Sequence, residues 1–280
     1  MTVQWYPGHM TETQKLLKDM IARVDIVLEI LDARLPMSSA NPVLDRLIKD
    51  RFRLKILNKA DLADPAKTQA WLSYFNKSKA IQAAAVTGML EDQAWKTLNL
   101  CTEQVAKNRA RKIKVLVVGI PNTGKSTLLN TLAGKKIAKT GNVPAVTRHQ
   151  QRTSLKNNID VYDTPGILWP VIEPPHRGNL LAVSGAVADA AIDHTQIGFF
   201  AAKFLMQNYP ELLKQRFTFL DPMPTEQLNL IENIGKARGC LKKGGIVDLD
   251  KTCKLLIKEL RTGKLGRISF ETPEDTAYDN

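Results

Sequence analysis

The chain has 280 residues, 44% of them hydrophobic, with 40 Lys and Arg against 28 Asp and Glu, a formal net charge of +12 and a sequence pI near 9.6. That length holds two domains more naturally than one, and the positive excess points to a polyanionic partner, nucleic acid before others. Cys101, Cys240 and Cys253 form no CxxC pair, which argues against a disulfide framework or a zinc site, and no run approaches the ~18 apolar residues of a membrane span.

WYPGHM at 5–10 stands too close to Met1 to leave room for a signal or transit peptide, so a soluble cytoplasmic protein is expected. TETQKLLKDMIAR at 11–23 has Leu16, Leu17, Met20 and Ile21 at helical spacing. A strand follows at 25–31 ending in DAR, then a helix near 41–50, a strand at 53–57 running into NKAD, a helix over about 65–76 and a strand at 79–85. This alternation predicts parallel βα units. Residues 91–112 read as a helix ending in a basic run, and KVLVVG at 114–119 as an apolar strand that enters a glycine-rich turn and a helix from about Ser126. Residues 136–153 are irregular, and SLKNNIDVYDTPG gives a strand pair.

PVIEPPHRG at 170–178 marks a change of pattern. Helical periodicity then runs over roughly 179–192, 196–207, 210–216, 225–238 and 248–262. The expected domains are 1–175, α/β with a mostly parallel sheet and helices on both faces, and 176–280, all-α with a mobile acidic tail. Residues 1–176 carry 26 basic and 15 acidic residues, and residues 177–280 carry 14 and 13.

GIPNTGKST at 119–127 is a phosphate-binding loop between a strand and a helix. Pro121, Asn122, Thr123, Gly124 and Thr127 would wrap the phosphates, Lys125 bridge the β- and γ-phosphates, and Ser126 ligate Mg²⁺. In DTPG at 163–166, Asp163 would hold Mg²⁺ through a water and the Gly166 N–H would read the γ-phosphate. In NKAD, Asp61 would accept from guanine N1–H and the 2-amino group, Lys59 lie along the base and Asn58 brace the loop, selecting GTP over ATP. Ala84 and Ala85, after the next strand, would contact the guanine oxygen through their backbone, although three alanines in a row could equally be core.

NKAD at 58–61 precedes GKST at 124–127, the reverse of the usual GTPase order, so the P-loop GTPase domain is circularly permuted. The chain leaving DTPG then runs straight into the helical domain. With these motifs the sequence resembles the circularly permuted ribosome-assembly GTPases of the YlqF/RbgA type. The resemblance spans nearly the whole chain, through QWYPGHM, DARLPMSSANP, LNKAD, GIPNTGKST, GNVPAVTRHQQ, DTPGILWP and RGCLKKGG. It implies a GTPase that binds the maturing large ribosomal subunit, with a helical domain on ribosomal RNA. By position, it implies that Thr147 is a switch residue ligating Mg²⁺ and that Asn122 attends a potassium ion. Thr123 and Ala145 stand where the family usually has Val and Gly.

Ras-like enzymes place a water-orienting Gln after the DxxG glycine, and here that residue is Ile167. Slow hydrolysis is therefore expected of the protein alone. His9, following a Pro-Gly turn, is a candidate to orient the water, and the resemblance favours it; it could instead cap a helix or touch RNA. The expected function is GTP-dependent assembly of the large subunit by a monomer with no membrane partner, with hydrolysis for release. A GTP-gated RNA-binding scaffold, or a GTPase acting on another RNA or a signalling target, are the alternatives.

Overall fold

The computed structural model describes residues 10–48, 52–78, 81–106, 111–137, 151–164 and 175–278. His9, Ala145, Thr147, Gly166 and Ile167 lie outside them. The chain divides into two compact units, Met1–Gly178 with Ser269–Asn280, and Asn179–Ile268.

The first unit starts with helix α1 (Met10–Arg23), strand β1 (Ile26–Asp32), the short helices α2 (Pro36–Ser39) and α3 (Pro42–Leu47), and strand β2 (Phe52–Asn58). Helix α4 (Pro65–Phe75), strand β3 (Ile81–Val86), helix α5 (Glu91–Ala106) and strand β4 (Ile113–Val118) follow. Helix α6 (Lys125–Ala133) and the strands β5 (Gln151–Leu155) and β6 (Ile159–Asp163) complete the sheet. Pro42 and Pro65 open their helices beside the caps Asn41 and Asp64, whose side chains accept from the first-turn N–H groups. The helix expected near 41–50 is α3, and α2 precedes it as a separate short helix that the sequence did not announce, with residues 40 and 41 extended between the two.

The sheet order is β3-β2-β1-β4-β6-β5, parallel except for the β5–β6 hairpin. Asn157 and Asn158, both left-handed, turn that hairpin. Buried on both faces, β1 reads as one apolar run interrupted only by Glu29. Ile26, Leu28 and Ile30 join Val115 and Val117 in a core closed by α5 and α6 through Ala94, Leu98, Leu128 and Leu132. On the other face, Val27 and Leu116 meet Leu17, Met20 and Ile21 of α1, while Leu31 and Leu57 meet Trp71 and Phe75 of α4. The cores hold four strand ends, Asp32, Asn58, Val118 and Asp163, along one edge of the parallel sheet.

Glu29 is fully buried and accepts from Arg53 Nε at 2.9 Å and Lys55 Nζ at 2.7 Å, both on β2. Burial alone would raise its pKa, but Lys55 and Arg53 more than offset this and hold it below the ordinary glutamate value.

In the second unit, helices α7 (Pro175–Ser184, shared with the first unit), α8 (His194–Asn208), α9 (Pro210–Arg216), α10 (Gln227–Ala237) and α11 (Leu249–Arg261) confirm a helical pattern after the prolines. Helix α8 packs on α10 and α11, burying Ile197, Ala201, Leu205, Ile231, Ile234 and Leu256. Buried Glu259 accepts two hydrogen bonds from Arg216, at 2.7 and 2.8 Å, and one from Arg238. Cys240 and Cys253 are free and buried.

Residues 269–280, assigned above to the helical domain as a mobile acidic tail, belong to the first unit. Ser269 Oγ accepts from the Asp64 N–H, and the Trp71 indole donates to the Glu271 carbonyl. The acidity there is partly buried, since Glu271 is only 5% exposed.

Candidate functional site

The loop after β4 is shaped by two glycines. Gly119 has φ +152°, and a Cβ there would come 2.5 Å from the Ile30 carbonyl on the neighbouring strand. Gly124, at φ +92°, begins α6 in the left-handed region, and a Cβ there would strike the Asn58 amide. Between them Asn122 is also left-handed. No side chain caps α6, so its first N–H groups and its positive dipole end face the loop.

Lys125 is 7% exposed and donates to the Ile120 carbonyl at 2.8 Å. Burial lowers its pKa to about 8, with Asp163 opposing that shift. Asp163 ends β6 with both carboxylate oxygens buried and unmatched by any aligned donor among the described residues. Burial pushes its pKa up to about 6, against the smaller pull of Lys125 and the nearby Thr164 N–H. A lysine starved of solvent at an uncapped helix start suits a phosphate, and a buried acid without donors suits a metal-bound water.

The base-reading side begins at the end of β2. Asn58 Nδ2 donates to the Thr123 carbonyl at 2.7 Å, and Asn58 Oδ1 accepts from the Gly88 N–H at 2.8 Å. One side chain therefore ties the phosphate loop to the loop after β3. Thr131 of α6 adds a second tie, donating to the Gly88 carbonyl at 2.8 Å. Lys59 is left-handed and donates to Asp32 Oδ2 at 2.9 Å. Asp61 is exposed, with the Thr87 hydroxyl donating to it at 3.3 Å.

Asn58, Lys59, Asp61, Pro121, Asn122, Thr123, Gly124, Lys125, Ser126, Thr127 and Asp163 thus lie on connected elements at the strand ends. Ala84 and Ala85 sit inside β3, paired with Ile56 and Leu57, and Ala85 packs on the α4 core. Thr87 and Gly88, beyond the strand end, are the residues that approach Asp61 and Asn58. Nothing in the local sequence singled out Thr87, Gly88 or Thr131. Asp32 and Arg34 stood in the DAR motif without an assigned task.

Residues 114–200 match the family described as 50S ribosome-binding GTPase. Over 98% of its length the chain is 44% identical to ribosome biogenesis GTPase A of Bacillus cereus, covering 95% of that protein. The chain belongs to the ribosome biogenesis GTPase A family. A more distant member of the ribosome biogenesis GTPase A family, from Thermotoga maritima, is 32% identical across 98% of the chain and 95% of its own length. The fold matches a GDP-bound structure titled TM YlqF with a TM-score of 0.69 and 29% identity, over 93% of this chain and all of that one. A GNP-bound YlqF from T. maritima gives 0.68 over 94% and 99%. As a member of the ribosome biogenesis GTPase A family, the protein is a circularly permuted P-loop GTPase that binds guanine nucleotide and hydrolyses GTP.

Proposed function

We propose that this GTPase binds the maturing large ribosomal subunit, promotes a late step of its assembly and hydrolyses GTP to leave. What carries the reading is the 44% identity, over nearly the full chain, to a protein named for ribosome biogenesis. Charge agrees with it, since a formal +12 suits a ribosomal RNA partner. In the second unit, Lys242 and Lys243 are exposed between the exposed apolar Leu241 and Ile246, a surface suited to RNA contact.

Within the site, Lys125 and the α6 N-terminus receive the β- and γ-phosphates, while Asp61 and Lys59 read the guanine. Ser126 would hold Mg²⁺ directly and Asp163 through a water, with Thr147 completing the set; the unmatched oxygens of Asp163 fit that task. Bound there, Mg²⁺ would neutralise charge on the phosphates. Asn122, left-handed beside the phosphates, would attend K⁺. The Gly166 N–H reads the γ-phosphate. His9 orients the attacking water, in place of the glutamine that Ile167 supplants.

GTP turnover measured with purified large subunits, small subunits or neither tests the reading. Stimulation by large subunits alone is expected, and His9→Ala should cut the stimulated rate by about 10-fold or more with GTP affinity nearly unchanged. Equal turnover in all three conditions would favour a second reading, a GTP-gated RNA-binding scaffold in which hydrolysis is incidental, for which Ile167 is the specific support.

A further inference from the structure

The turn after β1 is gripped from both sides. On the nucleotide side, Asp32 Oδ1 accepts from Arg34 Nε at 2.9 Å, and Asp32 Oδ2 accepts from Arg34 Nη2 at 2.8 Å and from Lys59 Nζ at 2.9 Å. The Ala33 N–H donates to the Asn58 carbonyl at 2.8 Å. On the far side, the Phe270 N–H donates to the Arg34 carbonyl at 2.7 Å. Glu271 accepts from the Met37 N–H at 2.8 Å, from the Ser38 N–H at 3.1 Å and from the Ser38 hydroxyl. Asp32, Arg34, Ser38, Ser269 and Glu271 are all buried.

This arrangement exceeds what packing requires. The first turn of α2 has no side-chain cap of its own, because Leu35 occupies the cap position. Its donors are met instead by a carboxylate more than 230 residues away in sequence. Lys59, a non-glycine residue with φ +61°, holds a backbone conformation that persists only when its neighbours enforce it. Two of those enforcing contacts, Ala33 to Asn58 and Asp32 to Lys59, come from the turn that residues 269–271 grip.

We propose that residues 269–271 clamp the base-reading loop. Glu271 holds the 34–39 turn, the turn holds Asp32, and Asp32 positions Lys59 along the guanine. Asp32 and Glu271 are positioning residues here and touch no nucleotide themselves. The inference rests on the reading of NKAD as the base reader. Its consequence is regulatory: Ile268, the residue before the clamp, ends the helical unit, so a load on that unit at its exit reaches the clamp through one peptide bond, and the base-reading loop through the clamp. Loosening the clamp speeds GDP release.

The test uses the full-length protein and fluorescent GDP, chased by unlabelled GDP, with IDP as the competitor that lacks the 2-amino group. Glu271→Gln keeps the size but places a donor against donors, and Asp32→Asn halves the hold on Lys59. Each should release GDP about 10-fold faster and narrow the preference for GDP over IDP by about 5-fold. Simple destabilisation would weaken both nucleotides equally and leave that preference alone. Asp61→Asn, which should lose GDP and gain XDP, is the control on the base reader. If it behaves so while Glu271→Gln and Asp32→Asn keep wild-type release and preference, the clamp is wrong and the base assignment stands. If Asp61→Asn retains GDP, the base assignment is wrong and the clamp falls with it. Ser38→Ala and Ser269→Ala, milder changes in the same clamp, should shift both readouts by about twofold; wild-type values for both overturn the proposal even where Glu271→Gln does not fold.

Discussion

Among the described residues no aligned donor meets either buried oxygen of the Asp163 carboxyl, so its ionised form costs the nucleotide-free protein stability that the neutral form does not. Its pKa is about 6 in the folded chain against 3.8 for the free side chain. Because the folded value is raised, the cost is full above pH 6 and fades as pH falls toward 3.8, where both states are protonated. Asp163→Asn is therefore expected to stabilise the nucleotide-free protein at pH 7.5 by about 1–3 kcal/mol, read from urea unfolding. That gain should shrink by about half at pH 5, and a gain independent of pH would show that ionisation is not its source. The same change should weaken the Mg²⁺-dependent tightening of GTP, so the site holds its acid at a cost in stability.

Strands β1 and β2 show the same chemistry resolved the other way. Glu29 has Arg53 and Lys55 to offset its burial, and its lowered pKa adds stability that is present above about pH 4.5 and lost as pH falls through the folded value. Glu29→Gln strands two buried cations and should cost about 3–5 kcal/mol in chemical unfolding, whereas replacing all three residues with apolar ones of similar volume should cost far less. The sheet was legible because its parallel strands are apolar runs leading into NKAD, GKST and DTPG, so the parallel βα units and the phosphate loop could be read from period and motif. Other features had no local signal. The partnership of Glu29 with Arg53 and Lys55 spans 24 and 26 residues, and only parallel pairing brings them together. β3 continues through Val86, so the three alanines, for which both a backbone contact to guanine and a place in the core were open from sequence, lie within the ladder. Thr131 reaches Gly88 only because α6 packs beside α5.

For the molecule as a whole, the helical unit at 179–268 is bounded at both ends by residues of the GTPase unit. Cutting the chain after Gly178 therefore would not yield the intact GTPase unit, although sequence organisation alone suggests a boundary close by, at 175/176. Such a fragment lacks the donor and acceptor set of Ser269, Phe270 and Glu271. A chain ending at Ile268 is expected to release GDP faster than the full chain by about 10-fold, as judged by fluorescent nucleotide dissociation. A synthetic peptide of residues 269–280, supplied in excess, should slow that release again, while a peptide carrying Glu271→Ala should not. The closing dozen residues would then act toward the rest of the chain as a tethered ligand whose affinity could be measured in trans, with the ninety residues of the helical unit as the tether that sets its effective concentration.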